Sequence, residues 1–173
     1  FTVLAFILFS EAFLRMVEEN LSVNIQHIRS IPAEITRLQR AGQRIVFLGN
    51  SLVNNAVNPK LFADLVVNNS NCRNIAAIKT TPDGTRLWDW YYIYKNYFTT
   101  MTSPDVLVVG FAWQHLSDKL KPSPSRLAGF FCSFSDLPEL IKLGMSTPPE
   151  VLEFLFARFS RVYVNREVIR NRI

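Results

Sequence analysis

The stretch RIVFLGNSLVNNAVNP, residues 44–59, contains the signals from which the fold is predicted. Residues 45–48 form an unbroken apolar run, which is typical of a strand buried on both faces of a parallel sheet. Gly49 permits a sharp exit from that strand. The polar residues that follow predict a loop, and then a helix with Asn58 as N-cap and Pro59 at its first position.

Two more segments predict strands, CRNIAAIKT at residues 72–80 and SPDVLVVGFAW at residues 103–113. Between them, PDGTRLWDWYYIYKNYF predicts an aromatic-rich helix that is opened by Asp83 or Thr85. Strands that alternate with helices, without hairpin signals, indicate a parallel sheet with right-handed connections. The predicted fold class is therefore α/β, with a parallel sheet flanked by helices.

Further helices are predicted on either side of this region. IPAEITRLQRAGQ has Pro32 in its first turn and Gly42 at its end, and the long segment from Thr147 has a capping box with Glu150. In the aromatic-rich helix, the spacing of Trp88, Tyr92 and Ile93 predicts a core stripe. Asp89 and Asp118 are expected to be solvated acids.

The chemistry of a parallel sheet lies at the carboxyl ends of its strands. Three loops occupy that edge, at residues 49–58, 80–85 and 110–118. Ser51 follows the first strand directly, so its hydroxyl could act as a nucleophile while its own N–H serves as an oxyanion donor. The alternative interpretation is that Ser51 only bonds the turn or caps the next helix.

The order of these blocks resembles that of the SGNH, or GDSL-like, hydrolase family. FLGNSLVNNAVNP is similar to the family's first block, with Asn50 in place of the Asp of Gly-Asp-Ser. TTPDGTRLWDWYYIYKN and SPDVLVVGFAW resemble the second and third strand-loop blocks. The likeness is closer to a membrane-anchored branch, since SEAFLR supplies Glu11, Leu14 and Arg15 of an E-x-x-L-R-like phrase.

The resemblance implies a three-layer SGNH/flavodoxin-like fold and acyl-transfer chemistry. Ser51 would attack an ester carbonyl, and the amides of Ser51 and Gly84 would hold the oxyanion. The third block departs from the family, because it reads Gly110-Phe-Ala-Trp113 where Gly-x-x-Asn is usual.

The family's base is a His in an Asp-x-x-His phrase near the C-terminus. This chain has two histidines, His27 and His115, and neither stands in such a phrase. Both are expected to be surface or packing residues. Because a serine without a base is a poor nucleophile at neutral pH, two hypotheses stay open. The chain is a partial sequence that lacks the last block, or the fold has been kept without the chemistry.

The N-terminal run FTVLAFILF has nine apolar residues. As a helix it would reach about 14 Å, which on its own favours a short core helix or a signal-peptide fragment. Its lack of a polar face favours instead the end of a transmembrane helix, with Glu11 and Arg15 as an interfacial ion pair. The weakly charged exit places the globular part on the periplasmic or lumenal side.

Composition excludes some functions. The formal charge is +5, and Lys and Arg are scattered except near the C-terminus, so no nucleic-acid partner is predicted. Neither Cys72 nor Cys132 lies in a CxxC or near a His, so both are expected to be core residues and no metal or cofactor is predicted. The arginine-rich segment after residue 153 predicts a basic amphipathic helix, suited to a membrane surface or an acidic protein, or simply covering the sheet.

The predicted organisation has four parts: a transmembrane helix (1–20), a linker with a short helix (21–43), an SGNH-like α/β domain (44–146) and a basic C-terminal helix (147–173). The chain is expected to be a single-pass, membrane-anchored esterase or O-acyltransferase that acts on acylated carbohydrate. The alternative is a non-catalytic accessory or structural subunit of a membrane protein complex. Both hypotheses name the membrane and other membrane-protein subunits as partners.

Overall fold

A computed structural model describes residues 2–69, 74–116 and 121–171. Its strands are β1 (Gln43–Leu48), β2 (Ile75–Thr80) and β3 (Val106–Val109). Its α-helices are α1 (Thr2–Val17), α2 (Val23–Leu38), α3 (Ser51–Ala56), α4 (Pro59–Asn69), α5 (Leu87–Ile93), α6 (Pro124–Arg126), α7 (Leu137–Lys142), α8 (Pro148–Phe159) and α9 (Arg161–Arg170).

The chain divides into two compact units. One comprises Phe1–Gln26 with Lys121–Ile173, and the other comprises His27–Leu120. The second unit contains the sheet, whose strand order is β2-β1-β3. Both neighbours of β1 run parallel to it, with Leu48 opposite Thr80 on one side and Val109 on the other. The carboxyl ends of all three strands therefore meet at one edge.

The predicted three-layer α/β class is wrong. The described residues are mostly helical, and their sheet has only three strands. Three layers require helices on both faces of the sheet. The side chains of β3 point alternately to both faces, and each of its four residues is at least 37% exposed, so the described helices leave both faces of this strand partly open.

The predicted transmembrane helix is also wrong, and with it the single-pass membrane localisation. Across residues 2–69, 74–116 and 121–171, no helix is both long enough and apolar enough to cross a membrane. Helix α1 has 16 residues. Its last two turns contain Glu11 and Arg15. Arg15 donates to a carbonyl of α8, and Glu11 accepts from a backbone N–H of α9.

The carboxylate of Glu11 caps the N-terminus of α9. It accepts hydrogen bonds from the Ser160 hydroxyl, from Arg161 N at 2.8 Å and from Val162 N at 3.2 Å. The Ser160 hydroxyl in turn accepts from Tyr163 N at 3.1 Å. Burial acts to raise the pKa of Glu11, but these hydrogen bonds together outweigh burial and leave its pKa below the ordinary value. The charge of Arg15, the expected partner, also lowers the pKa of Glu11, while the Arg15 guanidinium donates its hydrogen bond to Phe159 O at 3.2 Å.

A second carboxylate, seven residues or about two turns further on and directly after α1, also contacts α9. Glu18 is buried; it accepts from Asn165 Nδ2 at 3.0 Å and lies 3.6 Å from Arg161 NH1. Arg161 also donates to Gly129 O at 2.7 Å. Buried carboxylates are retained only when they are paired in this way, so the acidic end of α1 belongs to a tertiary contact.

The long C-terminal helix is interrupted at Ser160, which has an extended backbone and separates α8 from α9. The predicted capping box at its start is confirmed, because Thr147 N donates to Glu150 Oε2 at 3.0 Å. The interruption leaves the N–H groups of the first turn of α9 without helical partners. The Glu11 carboxylate then accepts hydrogen bonds from them. The local sequence does not predict this break, because the pattern on both sides of Ser160 is helical.

Pro32 was expected in the first turn of a helix, but it lies in the middle of α2. An internal proline removes one backbone hydrogen bond and costs about 3 kcal/mol. The compensation is a stripe of fully or nearly fully buried side chains, each worth about 2 kcal/mol. The stripe consists of Ile25, Ile28, Ile31, Ile35 and Leu38.

We expect Glu11→Gln to lower the free energy of unfolding by about 1 kcal/mol, because one of two accepting oxygens is replaced by a donor that faces N–H groups. The folded-state pKa of Glu11 lies below its ordinary value of 4.5. Its contribution is therefore present above that pH and is lost as pH falls through the folded-state pKa. Chemical denaturation from pH 7 to pH 3 measures both effects.

The matched control is Glu19→Gln, since Glu19 is exposed and lies beside Glu18 in the chain. Equal losses of stability in the two variants at pH 7 would contradict the capping role of Glu11.

Candidate functional site

Helix α3 begins at the carboxyl edge of the sheet because two glycines allow it to approach. A Cβ on Gly49 would lie 2.4 Å from Val53 Cγ2, and one on Gly110 would lie 2.2 Å from the same atom. Val53 is buried and packs with Ile45 and Phe47 of β1. The ends of β1 and β3 thus leave room for the first turn of α3 to pack closely against them.

The second loop is tied to the end of β1 through the carbonyl of Gly49. Thr85 Oγ1 lies 2.9 Å from Gly49 O and 2.7 Å from Pro82 O. Trp90 Nε1 lies 3.0 Å from Gly49 O and 2.9 Å from Thr85 Oγ1. Thr85 and Trp90 are both buried, so these bonds hold two loops together in a site protected from water.

Asn50 links all three loops. Its side chain is buried and caps α3 by accepting from Leu52 N at 3.0 Å. Its amide nitrogen lies 3.5 Å from Thr85 O in the second loop and 3.3 Å from His115 Nε2 in the third. The residue that stands where the resembled family has Asp is therefore the centre of the polar contacts at this edge.

His115 is held by its own loop. Its Nδ1 accepts from Ala112 N at 3.0 Å, which places the proton of the neutral ring on Nε2. The ring also lies edge-on to Trp90, with centroids 5.8 Å apart. Its Nε2 lies 3.3 Å from Asn50 Nδ2, and because both groups are donors this approach is a packing contact and not a hydrogen bond. His115 thus packs against Asn50.

Ser51 lies at this junction, as the sequence predicts. It is the first residue of α3 and is half-buried. Within the part of the chain that the structure describes, neither its hydroxyl nor its N–H takes part in a hydrogen bond. The helix-capping alternative for Ser51 does not apply, because the capping side chain is that of Asn50.

Gly84, the predicted second oxyanion donor, is exposed and has a φ of 65° in a turn of the second loop. It precedes Thr85, whose carbonyl approaches Asn50. A positive φ favours glycine at this position.

Two polar residues of the site, Lys79 and Thr81, were not predicted. Lys79, on β2, donates to Asn54 O at 2.7 Å and Val57 O at 3.4 Å, and so caps the C-terminal end of α3. Thr81 lies 3.3 Å from Asn54 Oδ1. The signal was a lysine inside an otherwise apolar strand, which indicates a specific acceptor.

Helix α5 starts later than predicted. Its N-cap is Arg86, not Asp83 or Thr85, and Asp89 Oδ2 accepts from Arg86 N at 2.9 Å. Asp89 is buried, so its interpretation as a solvated acid is wrong. Tyr92 and Ile93 are buried as the core stripe predicts, whereas Trp88 is half-buried.

The remaining candidate residues make none of the contacts of this site, or lie outside the described residues. His27 is half-buried on α2, and its carbonyl accepts from Ser30 Oγ at 2.9 Å. Cys132 is a buried free thiol, as expected of a core residue. Cys72 and Asp118 lie outside the described residues. Among the described side chains, no three of His, Cys, Asp or Glu are grouped to hold a metal ion.

Comparison with protein-family models found no match, and the comparisons with curated proteins and with solved structures found none either. The resemblance to SGNH hydrolases therefore stays a prediction from the motifs.

We expect Gly110→Ala to destabilise the fold by about 2 kcal/mol, because the new methyl group overlaps Val53 in a packed position. Gly42→Ala is the matched control, since a Cβ there meets its neighbours at 3.4 Å or more. Urea denaturation measures both. The double variant Gly110→Ala/Val53→Ala should lose less stability than the sum of the losses in the two single variants. A loss equal to that sum would refute the close contact.

Thr85→Val should cost about 1–3 kcal/mol, because it preserves the shape of the side chain but removes a buried hydroxyl that bonds Pro82 O and Gly49 O, and Trp90 Nε1 remains as a donor only to Gly49 O. Thr100→Val is the control, since its hydroxyl bonds Asn96 O at an exposed position. Thermal unfolding followed by tryptophan fluorescence reports the loss near Trp90. A Thr85→Val protein as stable as the control would show that the second loop is held by other contacts.

Proposed function

We propose that the protein uses Ser51 as the nucleophile of a carboxyl-ester hydrolase or O-acyltransferase of the SGNH type. The observation that supports this proposal is the state of Ser51 itself. A half-buried serine at the carboxyl edge of a parallel sheet has a hydroxyl and an N–H that are both unpaired in the described residues. The first N–H groups of a helix have no partner within it, so the Ser51 N–H and its partly accessible hydroxyl are available to a ligand at this edge of the sheet.

The chemistry would begin with attack of Ser51 Oγ on an ester carbonyl. The carbonyl oxygen gains negative charge, and the Ser51 N–H and the Gly84 N–H are the proposed donors to it. Preorganised donors of this kind each lower the barrier by about 3 kcal/mol. The C–O bond of the substrate ester then breaks, so that the alcohol leaves with a proton and the acyl group stays on Ser51 Oγ. Water or a second hydroxyl takes the acyl group in the next step and leaves its proton to restore the Ser51 hydroxyl. Water makes the reaction a hydrolysis, and a second hydroxyl makes it a transfer.

The positions of the loops support this assignment. Asn50 is fixed by α3, by Thr85 and by His115, and it directly precedes Ser51. A nucleophile benefits from a rigid neighbour, because misplacement by about 1 Å can cost 100-fold in rate. Asn50 and His115 are therefore proposed as positioning residues.

The proton of Ser51 needs an acceptor. His115 does not provide one in its present position, since its Nδ1 accepts from Ala112 and its Nε2 faces Asn50. The proposal thus requires the acceptor to come from outside the contacts that the described residues make. The resemblance suggests an acylated carbohydrate as the substrate. The geometry of the loops does not favour one ester over another.

A fluorophosphonate probe tests the proposal directly, because it modifies serine hydroxyls that are both nucleophilic and accessible. Labelling is expected in the wild-type chain and should be lost in Ser51→Ala. Ser135→Ala should keep full labelling, since Ser135 is exposed and lies in the other unit. Mass spectrometry of the labelled peptide locates the adduct.

His115→Ala should reduce labelling by about tenfold or less, because it loosens Asn50 without removing a reacting group. Wild-type protein that is folded but unlabelled would contradict the enzyme proposal and favour the non-catalytic accessory role. Labelling that persists in Ser51→Ala would contradict the assignment of Ser51.

A further inference from the structure

Strand β3 and the residues after it form an uncharged, exposed surface. The β3 edge patch is defined as residues 106–109 with Phe111 and Trp113. Its exposed fractions are Val106 49%, Leu107 37%, Val108 40%, Val109 38%, Phe111 51% and Trp113 87%. Contiguous apolar surface of this kind marks an interaction site on a folded protein.

The outer edge of β3 is unpaired among the described strands, since β3 ends the order β2-β1-β3. Edge strands are normally protected by proline, by charges or by a covering element. The four residues of β3 include none of these, and the nearest charge is Asp105, which is bound to Arg44 at 2.8 Å. The Arg44 side chain lowers the pKa of Asp105 to about 2, so that end of the strand keeps its ion pair at ordinary pH.

The hydrogen-bonding direction of each β3 residue follows from one contact. Gly110 N donates to Leu48 O at 2.9 Å. Alternation along a strand then turns the peptide groups of Val108 toward β1, and those of Leu107 and Val109 outward. Two outward-facing residues with one between them make a self-complementary unit, because an antiparallel copy can pair Leu107 with Val109 and Val109 with Leu107.

We infer that this edge is the interface of a homodimer, in which β3 pairs with β3 of a second copy, antiparallel and about a two-fold axis at Val108. The two sheets then form one six-stranded sheet. This inference goes beyond the proposed function and does not depend on it.

The area of the patch fits a second copy. From the exposed fractions, the six residues present roughly 600 Å² of surface, with about half from the two aromatic side chains. Two copies would together bury at most about 1,200 Å², the lower bound of specific interfaces. Four residues of strand alone would fall well below it, so Phe111 and Trp113 are the expected anchors.

The arrangement of charge agrees with antiparallel pairing. The two Asp105 residues would lie at opposite ends of the shared ladder, about 20 Å apart, which is beyond the Debye length at physiological salt. Pairing in the parallel sense would bring them together. The isologous arrangement also uses the same patch on both copies, as two-fold symmetry requires.

Sedimentation velocity over a range of concentrations tests the inference on the intact chain. The wild type should change from monomer to dimer as concentration rises. Val108→Lys would place two ammonium groups opposite each other at the axis and should weaken the dimer about tenfold or more. Leu61→Lys is the matched control, since Leu61 is exposed on α4, and it should dimerise like the wild type.

Circular dichroism shows whether the lysine variants remain folded, which is expected because both replaced side chains are exposed. A wild type that stays monomeric at every concentration would overturn the inference. A dimer that Val108→Lys leaves unchanged would do the same, and so would open-ended association into larger species.

Cysteine crosslinking gives a second readout that does not depend on affinity. In a background with Cys72 and Cys132 replaced by alanine, Val108→Cys should form an intermolecular disulfide. The two positions form a non-hydrogen-bonded pair with Cα atoms about 4.5 Å apart. Val106→Cys should not crosslink to itself, because its two copies would lie more than about 10 Å apart. Equal crosslinking of the two variants would refute the register.

Discussion

The contact of Val53 with Gly49 and Gly110 sets the distance between α3 and the sheet, and the candidate site follows from it. A side chain at either glycine would overlap Val53, so the helix could not start where β1 ends. With both glycines in place, α3 begins two residues after the strand. Ser51 is then the first residue of the helix, at the edge where three strand exits meet. A packing constraint between apolar atoms thereby determines the position of a hydroxyl group.

In each of the two units, polar side chains cap the end of a helix. In the sheet unit, Asn50 and Lys79 bind the two ends of α3. In the other unit, Glu11 binds the first turn of α9. Helix ends leave backbone groups unpaired, and a short helix has few internal bonds to offset that loss. Distant side chains therefore do more than cap these helices, since each cap also fixes how one element lies on another.

The two surfaces with functional consequences have opposite character. The carboxyl edge of the sheet is polar, and its side chains are oriented by several hydrogen bonds, which suits chemistry on a small group. The β3 edge patch is apolar and uncharged, which suits association through backbone bonds and aromatic side chains. In the proposed dimer the antiparallel sheets direct the two Ser51 sites to opposite ends.

Local pattern located the three strands, the N-caps at Asn58 and Thr147, and the serine at the exit of β1, because strand and helix signals depend on residues close together in the chain. It could not reveal the contacts of Asn50 with Thr85 and His115 or of Glu11 with α9, since these join residues 35 to 151 positions apart. The same limit explains the error at the N-terminus. An apolar run followed by charges looks alike whether its charged end meets a membrane surface or another helix, and Glu11 and Glu18 have their partners in α9. It also explains the error in fold class, because the number of layers on a sheet depends on which helices pack against it, and that is settled by long-range packing.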